Sequence, residues 1–493
     1  MNERVVNKVW GVAPCAISFF IFAIVLFSDF MPAPFSNYAA QRFFLAGLLV
    51  IVAVFSSGFL IRRDGFCYLT QVWPATLVCI GFVFLSLPFS KAQVVWVEPG
   101  MYALFFLGFV QAGLLPKQWK QKENWVIILV SVTAIVSAFY GATTVLVYLF
   151  AMSDRVAKLS EYIPWGFVNI RYWSHIATWL LPLLPLAILI GPLKKLRLWR
   201  FFVALGTALW WWIVFLSSSR GTMLGVSFGV LLVALLIGRP AVPWLKVFLR
   251  YLAYGIVAWF VLSIFIPSML LDDVSTRSLK SDTSGRMPLF AEAWRMSLVE
   301  FPLGLGPQSW LTHEIITENY RRSPKFGHPH NMYLMWAAEY GWLLIGAILI
   351  LAAQAMRLFW KRRLELARDD THALPLAAFT ASVSAALLHA GVSAVFIAPG
   401  SMLIGFLVLS VFWALISEDR SVSYSASIAK RTIVAIMTMV AMGVLCLFWI
   451  NEVRVYHGAM INDQVFYYEK VPEGSLPRFW LHGNYPRHES QMP

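Results

Sequence analysis

The side chains best suited to chemistry are two histidines in the segment HPHN, His328 and His330. A metal site needs three or four ligands, and His313 and Glu314 are the further candidates upstream of the pair. In a structural role, Asn331 would cap a helix that the histidines merely flank. In a catalytic role, a neutral imidazole near pH 7 would take a proton from an alcohol. The local sequence disfavours the metal site and leaves the structural and catalytic interpretations open.

Three arginines form a second set of candidates: Arg171 in FVNIRYWSH, Arg220 in SSSRGT and Arg286 in TSGRM. A single arginine near a membrane surface often extends to lipid headgroups. Three of them at or beside helix ends that face one compartment indicate a shared ligand. Guanidinium groups bind phosphate oxygens in pairs, and the hydroxyl of Ser219 could add a donor. The set predicts a site for an anionic lipid headgroup, with a polyprenyl diphosphate as the candidate ligand.

Membrane helices must position these residues. Of the 493 residues, 59% are hydrophobic and only 13% are charged, whereas about a quarter are charged in a soluble domain. A helix needs about 20 apolar residues to cross the hydrocarbon core. Apolar runs occur at 10–28, 43–61, 68–88, 99–115, 124–150, 175–191, 201–217, 222–238, 251–270, 330–353, 373–396, 401–416 and 432–451. We predict an all-α polytopic membrane protein with about 12–13 transmembrane helices.

Positive charge predicts how these helices are oriented. The basic loops, such as KKLRLWR at 194–200, all fall on the side of the N-terminus, which the positive-inside rule places in the cytoplasm. The net charge of +14 is therefore a topology signal and does not indicate nucleic acid binding. A long, partly helical loop at 271–329 falls on the other side. We divide the chain into a transmembrane domain, 1–451, which includes that loop, and a polar C-terminal tail, 452–493, on the same outer side.

Two packing patterns lie near the candidate arginines. Three glycines four residues apart line one helical face, so that a neighbouring helix can approach closely: Gly221, Gly225 and Gly229. Five apolar residues of the outer loop fall on one helical face: Leu289, Phe290, Ala293, Trp294 and Leu298. The first pattern predicts tight packing below Arg220, and the second predicts an amphipathic helix that closes over a polar cavity.

In their order along the chain, the motifs resemble those of the bacterial O-antigen ligase/polymerase superfamily. They are SSSRGT between two helices, SGR and FPLGLGPQSW in a long outer loop, and HPHNMYLMWAAEYG at the return to the membrane. GFVNIRYWSHIATWLLPLL resembles the stretch that precedes this core in many members. The similarity covers roughly residues 160–410. It implies a fold like that of the type C glycosyltransferases, in the bacterial inner membrane, with the active site facing the periplasm.

The resemblance also implies a reaction and roles for the candidate residues. His330 matches the base, Arg220 and Arg286 match the diphosphate-binding arginines, and Arg171 is a third arginine of this kind. Three neighbours are expected to support the site: His328, Ser219 and Asn331. The implied reaction is a metal-independent, inverting transfer of a glycan from undecaprenyl diphosphate to an acceptor hydroxyl, without a cofactor. With lipid A-core as the acceptor, the protein is an O-antigen ligase.

The acceptor itself stays open at this level. A polymerase of O-antigen or exopolysaccharide, or a protein O-oligosaccharyltransferase, would use the same chemistry. Outside this class, a transporter of lipid-linked sugars would predict inverted repeats and discontinuous helices near the midplane, and the sequence displays neither pattern. The thirteenth apolar run and the outer tail depart from the ligase branch, for which both chain ends are expected in the cytoplasm.

Overall fold

The structure is a computed structural model that describes residues 3–32, 38–91, 94–116, 118–154, 163–167, 169–270, 285–366, 370–418, 427–470 and 478–479. Within these ranges the regular structure is helical, without a β-strand. The helices are α1 (Glu3–Leu26), α2 (Tyr38–Asp64), α3 (Leu69–Ser86), α4 (Val97–Leu114), α5 (Trp119–Ser153), α6 (Ile170–Leu180), α7 (Arg197–Leu216), α8 (Arg220–Leu236), α9 (Val242–Phe260), α10 (Ile266–Leu270), α11 (Arg286–Val299), α12 (Ser309–Thr312), α13 (Glu318–Arg321), α14 (Met332–Leu366), α15 (Asp370–Ala390), α16 (Pro399–Ile416) and α17 (Ile428–Lys470).

Ten helical stretches of the described chain are long and apolar enough to cross a membrane. The other predicted runs correspond to the shorter apolar helices at 15–26 and 220–236 and to the segment that begins with α6. α6 ends two residues before Pro182, which has no amide hydrogen with which to continue the helix. The Trp244 indole donates to the Pro182 carbonyl at 2.9 Å. The prediction of an all-α polytopic membrane protein is confirmed.

The glycine face of α8 packs against α15. A Cβ atom at Gly225 would lie 2.6 Å from the carbonyl oxygen of Ala385, and one at Gly229 would lie 2.2 Å from that of Ala381. Contacts this short leave room only for hydrogen, so the two backbones approach more closely than larger residues would allow. The predicted close packing below Arg220 is confirmed.

The long helix α14 is interrupted by Gly341, which has a φ of 80°. The FPLGLGP segment pairs with the opened backbone, and the amide of Trp342 donates to the Pro302 carbonyl at 2.8 Å. A Cβ atom at Gly341 would lie 2.4 Å from that carbonyl oxygen, and one at Gly304 would lie 2.3 Å from the Glu339 carbonyl. Gly304 in the FPLGLGP segment and Gly341 in α14 therefore permit a direct backbone contact between the segment and the helix.

The outer loop contains the predicted helix, α11, but its buried face differs from the predicted one. Leu289, Ala293 and Met296 are buried, and they pack in a small core with residues from α12, α13 and α14. Trp294 and Leu298 were expected on the same face, but they are 46% and 42% exposed. Docking against α14 rotates the inner face toward Met296, so these two larger side chains point outward.

The C-terminal part of the chain returns to the helical bundle. α17 continues through residue 451 to Lys470, so the predicted start of the tail at 452 lies inside a continuous helix. In the tail beyond this helix, the structure describes Arg478 and Phe479, and each is 1% exposed. Arg42 at the start of α2 donates to the Phe479 carbonyl at 2.8 Å. These residues of the tail therefore belong to the core at the end of the bundle where α2 begins.

Candidate functional site

The chemical candidates all lie where helices begin. Arg171 is in the first turn of α6, Arg220 and Arg286 start α8 and α11, and His330 lies just before α14. Amide hydrogens in the first turn of a helix have no acceptor within the helix and carry partial positive charge. Helix starts that converge in this way favour an anion.

Arg171 and His330 are in direct contact, although 159 residues separate them in sequence. The Nη1 atom of Arg171 lies 3.3 Å from the Nε2 atom of His330. A guanidinium only donates hydrogen bonds, so Nε2 is the acceptor and the neutral ring carries its proton on Nδ1. That Nδ1 atom is buried and has no hydrogen-bond partner in the described part of the chain. The lone pair on Nε2 of His330, which is the basic nitrogen of the neutral ring, therefore faces the guanidinium of Arg171.

His328 holds the backbone of His330. The amide of His330 donates to Nδ1 of His328 at 3.2 Å, and the two ring centroids are 4.3 Å apart. His330 has a φ of 58°, in the left-handed region that costs a residue with a side chain about 1–2 kcal/mol. A conformation of this kind persists only where its surroundings enforce it, and such residues cluster at functional sites. The hydrogen bond to His328 helps to stabilise the left-handed backbone of His330.

Asn331 and Ser219 have local roles. The Oδ1 atom of Asn331 accepts a hydrogen bond from the amide of Leu334 at 3.0 Å, so Asn331 caps α14 in the way that the structural interpretation of HPHN describes. Ser219 precedes α8, and its hydroxyl lies 2.7 Å from the hydroxyl of Ser217. The turn between them has Ser218 at a φ of 51°. The SSSRGT motif therefore makes the sharp turn that places Arg220 at the first position of α8.

The charges of Arg171 and Arg220 act on the third candidate arginine, Arg286. Burial, followed by the charges of Arg171 and Arg220, lowers the pKa of Arg286 to about 10. The Nε atom of Arg286 is buried without a hydrogen-bond partner among the residues that the structure describes, whereas the Arg220 side chain is exposed. A guanidinium whose pKa is lowered by neighbouring positive charges is stabilised when an anion binds beside it, which makes this cluster a candidate binding site.

Both histidines are kept neutral by their surroundings. Burial, followed by the charges of Arg171, Arg478 and Arg286, lowers the pKa of His328 to about 3. Burial and then the neighbouring His328, Arg171 and Arg286 hold the pKa of His330 well below its usual value. At neutral pH both rings are therefore unprotonated at one nitrogen. A neutral His330 has the protonation state that a general base needs.

The same positive surroundings disfavour a bound cation. Within the described ranges, no three His, Cys, Asp or Glu side chains come together in a way that could hold a metal ion. His313 and Glu314, the upstream candidates for a metal site, do not join the HPHN pair. The Nε2 atom of His313 lies 2.9 Å from Glu292 in the small core of the outer loop, where it has a structural role.

Sequence reasoning missed a buried cluster directly behind HPHN. Arg478 donates to the carboxylates of Glu98 and Glu339, and all three side chains are at most 2% exposed. Two isolated acidic residues, one beside and one within an apolar run, were the available signal, because charge at membrane depth is costly and tends to be functional. No local pattern pointed to their partner in the tail.

Comparison with known proteins agrees with these motifs. Residues 205–351 match the family model described as O-Antigen ligase. The matched segment contains Arg220, Arg286, His328 and His330, whereas Arg171 lies outside it. No curated protein matches the chain. The match at residues 205–351 agrees with the superfamily that the motifs of the chain resemble.

Proposed function

We propose that the protein transfers a glycan from undecaprenyl diphosphate to an acceptor hydroxyl at the periplasmic face of the bacterial inner membrane. The proposed acceptor is lipid A-core, which makes the reaction O-antigen ligation. The contact between Arg171 and His330, beside the partly buried Arg286, carries this proposal. A base next to clustered cations suits an alcohol acceptor and an anionic leaving group. The family match at 205–351 supports the same chemistry.

In this proposal, the diphosphate of the donor lies among Arg171, Arg220 and Arg286. Guanidinium groups can bind two phosphate oxygens each, and binding relieves the mutual repulsion that depresses the pKa of Arg286. Negative charge grows on the diphosphate as the glycosidic bond breaks. Donors that are already in place stabilise that charge by about 3 kcal/mol each. The arginines therefore act on both donor binding and the rate of transfer.

His330 is the proposed base, and donor binding prepares it. Arg171 covers the Nε2 lone pair, so a diphosphate that attracts this guanidinium exposes the nitrogen. The same diphosphate offsets the positive charges that hold the pKa of His330 low, so that pKa rises toward the working pH. Both effects make His330 a stronger base when the donor is bound.

The reaction then takes place in one displacement. Nε2 of His330 takes the hydroxyl proton of the acceptor while the acceptor oxygen forms a bond to the anomeric carbon. The bond from that carbon to the diphosphate oxygen breaks, and its electron pair leaves with undecaprenyl diphosphate. A single displacement inverts the anomeric configuration. The guanidinium groups supply the positive charge at the leaving group, so we propose a metal-independent reaction without a cofactor.

The proposed orientation places the N-terminus in the cytoplasm and the end of the bundle that contains His330 at the periplasm. Its support is the parity of the basic loops, such as 194–200, which all fall at the opposite end. The donor lipid and the surrounding bilayer lipid then meet the site from the outer leaflet.

Deletion of the gene followed by analysis of surface glycans tests the proposal. Ligation predicts that polymer disappears from lipid A-core while undecaprenyl-linked polymer is still made. Glycans capped at a single repeat would indicate a polymerase, and loss of glycan from protein alone would indicate a protein O-oligosaccharyltransferase. Accumulation of lipid-linked sugar on the cytoplasmic side would reject transfer and favour a transporter.

A further inference from the structure

Arg478 links the tail of the chain to the turn that carries the histidines. Its Nε and Nη2 atoms donate to the two carboxylate oxygens of Glu98 at 2.9 and 2.8 Å. Nη2 also lies 2.6 Å and 2.7 Å from the carboxylate oxygens of Glu339 in α14. Nη1 lies 3.4 Å from the carbonyl oxygen of Gly327, the residue before His328. One guanidinium therefore contacts α4, α14 and the HPHN turn.

The charges of this cluster are balanced inside the protein. Arg478 faces two carboxylates, and the guanidinium of Arg42, which is 1% exposed, lies next to it. Arg42 donates to the carbonyl oxygens of Phe479 and Arg478 at 2.8 and 3.4 Å, and its charge lies 4.4 Å from the centre of the Phe479 ring. Two buried cations and two buried anions meet there. Burying four charges is costly unless their geometry is fixed, so this part of the tail has one defined position.

The cluster contacts the chain on both sides of the start of α14, the helix that follows His330. Glu339 lies in the last turn before the break of α14 at Gly341, and its Oε1 atom also accepts from the Trp310 amide at 3.2 Å. At the other end, Gly327 leads into His328, whose Nδ1 atom accepts from the His330 amide. Arg478 contacts both points, so its removal frees the segment that fixes His330 in its left-handed conformation.

We propose that Arg478 is a positioning residue for His330, through which the C-terminal tail completes the active site. The catalytic part of this inference rests on the proposed function. The claim that Arg478 holds the HPHN turn in place rests on geometry alone. The residue lies far outside the matched segment at 205–351. Arg478 does not touch the proposed diphosphate site formed by the three arginines. Its loss should therefore slow transfer without weakening donor binding.

The test uses the full-length protein, purified in lipid nanodiscs, with two variants. Arg478→Gln leaves two buried carboxylates without their partner, which destabilises the fold. The second variant combines Arg478→Met with Glu98→Gln and Glu339→Gln, so that no carboxylate is left without its partner. Arg42 keeps its hydrogen bonds to the carbonyl oxygens of Ile397 and Phe479 and its contact with the Phe479 ring. Arg454→Gln is the matched control, because Arg454 is exposed on α17 and contacts Asn451.

Hydrogen exchange of peptides covering 326–334 measures positioning without reference to the reaction. We expect exchange there at least tenfold faster in the triple variant, with peptides of α8 protected as in wild type. We expect kcat for transfer from the undecaprenyl-diphosphate-linked glycan to fall about a hundredfold, the scale of a misplaced catalytic group. The affinity for inorganic pyrophosphate and the donor KM should stay unchanged, as should every property of Arg454→Gln.

Wild-type exchange at 326–334 in the triple variant, or wild-type kcat, would overturn the proposal. Equal loss of kcat and pyrophosphate affinity would also overturn it, because that result indicates a general collapse of the site. A third outcome is possible: the wild-type protein transfers no glycan, but exchange at 326–334 is still faster in the triple variant. That result would reject the proposed function, but it would support the positioning of the HPHN turn by Arg478. The two failures are therefore distinguishable.

Discussion

The Nη1 atom of Arg171 lies 3.3 Å from the Nε2 atom of His330, so a cation covers the nitrogen that is proposed to act as the base. Arg171 starts α6 and lies outside the segment that matches the O-antigen ligase family, whereas His330 lies inside it. The candidate site therefore combines residues of the matched segment with one arginine from outside it. In the proposed mechanism this contact couples donor binding to the strength of the base, and that coupling can be tested by pH.

Replacing Arg171 by glutamine should shift the pH dependence of transfer. The charge of Arg171 helps to hold the pKa of His330 low, so His330 in the wild type stays neutral as the pH falls below its usual value of about 6.5. Without that charge the pKa rises, and protonation inactivates the base at a higher pH. We expect the acid limb of kcat/KM, measured from about pH 4 to pH 8, to move upward. An unchanged acid limb would show that Arg171 does not act on His330.

Replacing Arg286 by lysine should impair use of the donor although the charge is kept. Lysine offers a single ammonium group in place of the planar fork that binds two phosphate oxygens. We expect a drop of about tenfold to a hundredfold in kcat/KM for the lipid-linked donor, corresponding to about 1.4–3 kcal/mol. Arg295→Lys is the matched control, since Arg295 is exposed on the same helix. Equal activity of the two variants would argue against a diphosphate site at Arg286.

Replacing Gly341 by alanine should destabilise the active-site end of α14. The residue has a φ of 80°, and a Cβ atom there would lie 2.4 Å from the Pro302 carbonyl oxygen. The left-handed backbone alone costs alanine about 1–2 kcal/mol, and the clash adds to that cost. We expect a lower thermal unfolding midpoint and reduced transfer. Gly346→Ala is the control, because a Cβ atom at Gly346 meets open space. Unfolding midpoints that match in the two variants would contradict the close contact.

Treatment with EDTA should leave transfer unchanged. The nitrogen of His330 that could bind a metal faces Arg171, and the neighbouring guanidinium groups repel a cation. Transfer by the purified protein is measured before and after chelation, and again after addition of Mg²⁺, Mn²⁺ or Zn²⁺. Inhibition that a divalent ion reverses would contradict the metal-independent mechanism.

The helices could be predicted from the sequence because a membrane-spanning helix requires a long apolar run, which is visible without a structure. Local motifs also indicated His330, Asn331 and Arg220, since each sits in a short segment whose turn and cap are encoded by adjacent residues. Which face of α11 is buried could not be predicted in the same way. Docking on α14 decides which of its apolar side chains are buried, and the composition of α11 alone does not contain that information.

The cluster around Arg478 lay beyond sequence reasoning for a different reason. Its partners Glu98 and Glu339 are 380 and 139 residues away, and no periodic pattern relates such distant positions. The two carboxylates beside and within apolar runs were visible, but their partner followed a helix that was expected to end near residue 451. The contact of Arg171 with His330 was similarly indicated only as part of a set. In both cases the fold, and no local motif, decides which charges meet.

Replacement of His330 by asparagine in the purified protein tests the central claim most directly. Asparagine tolerates the left-handed backbone that His330 adopts, so the variant removes the imidazole while the turn is kept. The measurement is the rate at which undecaprenyl diphosphate is released from its linked glycan in the presence of acceptor, with His457→Ala as a control outside the site. We predict a loss of about a hundredfold to ten-thousandfold for His330→Asn, with pyrophosphate binding retained. Release at the wild-type rate would contradict the account.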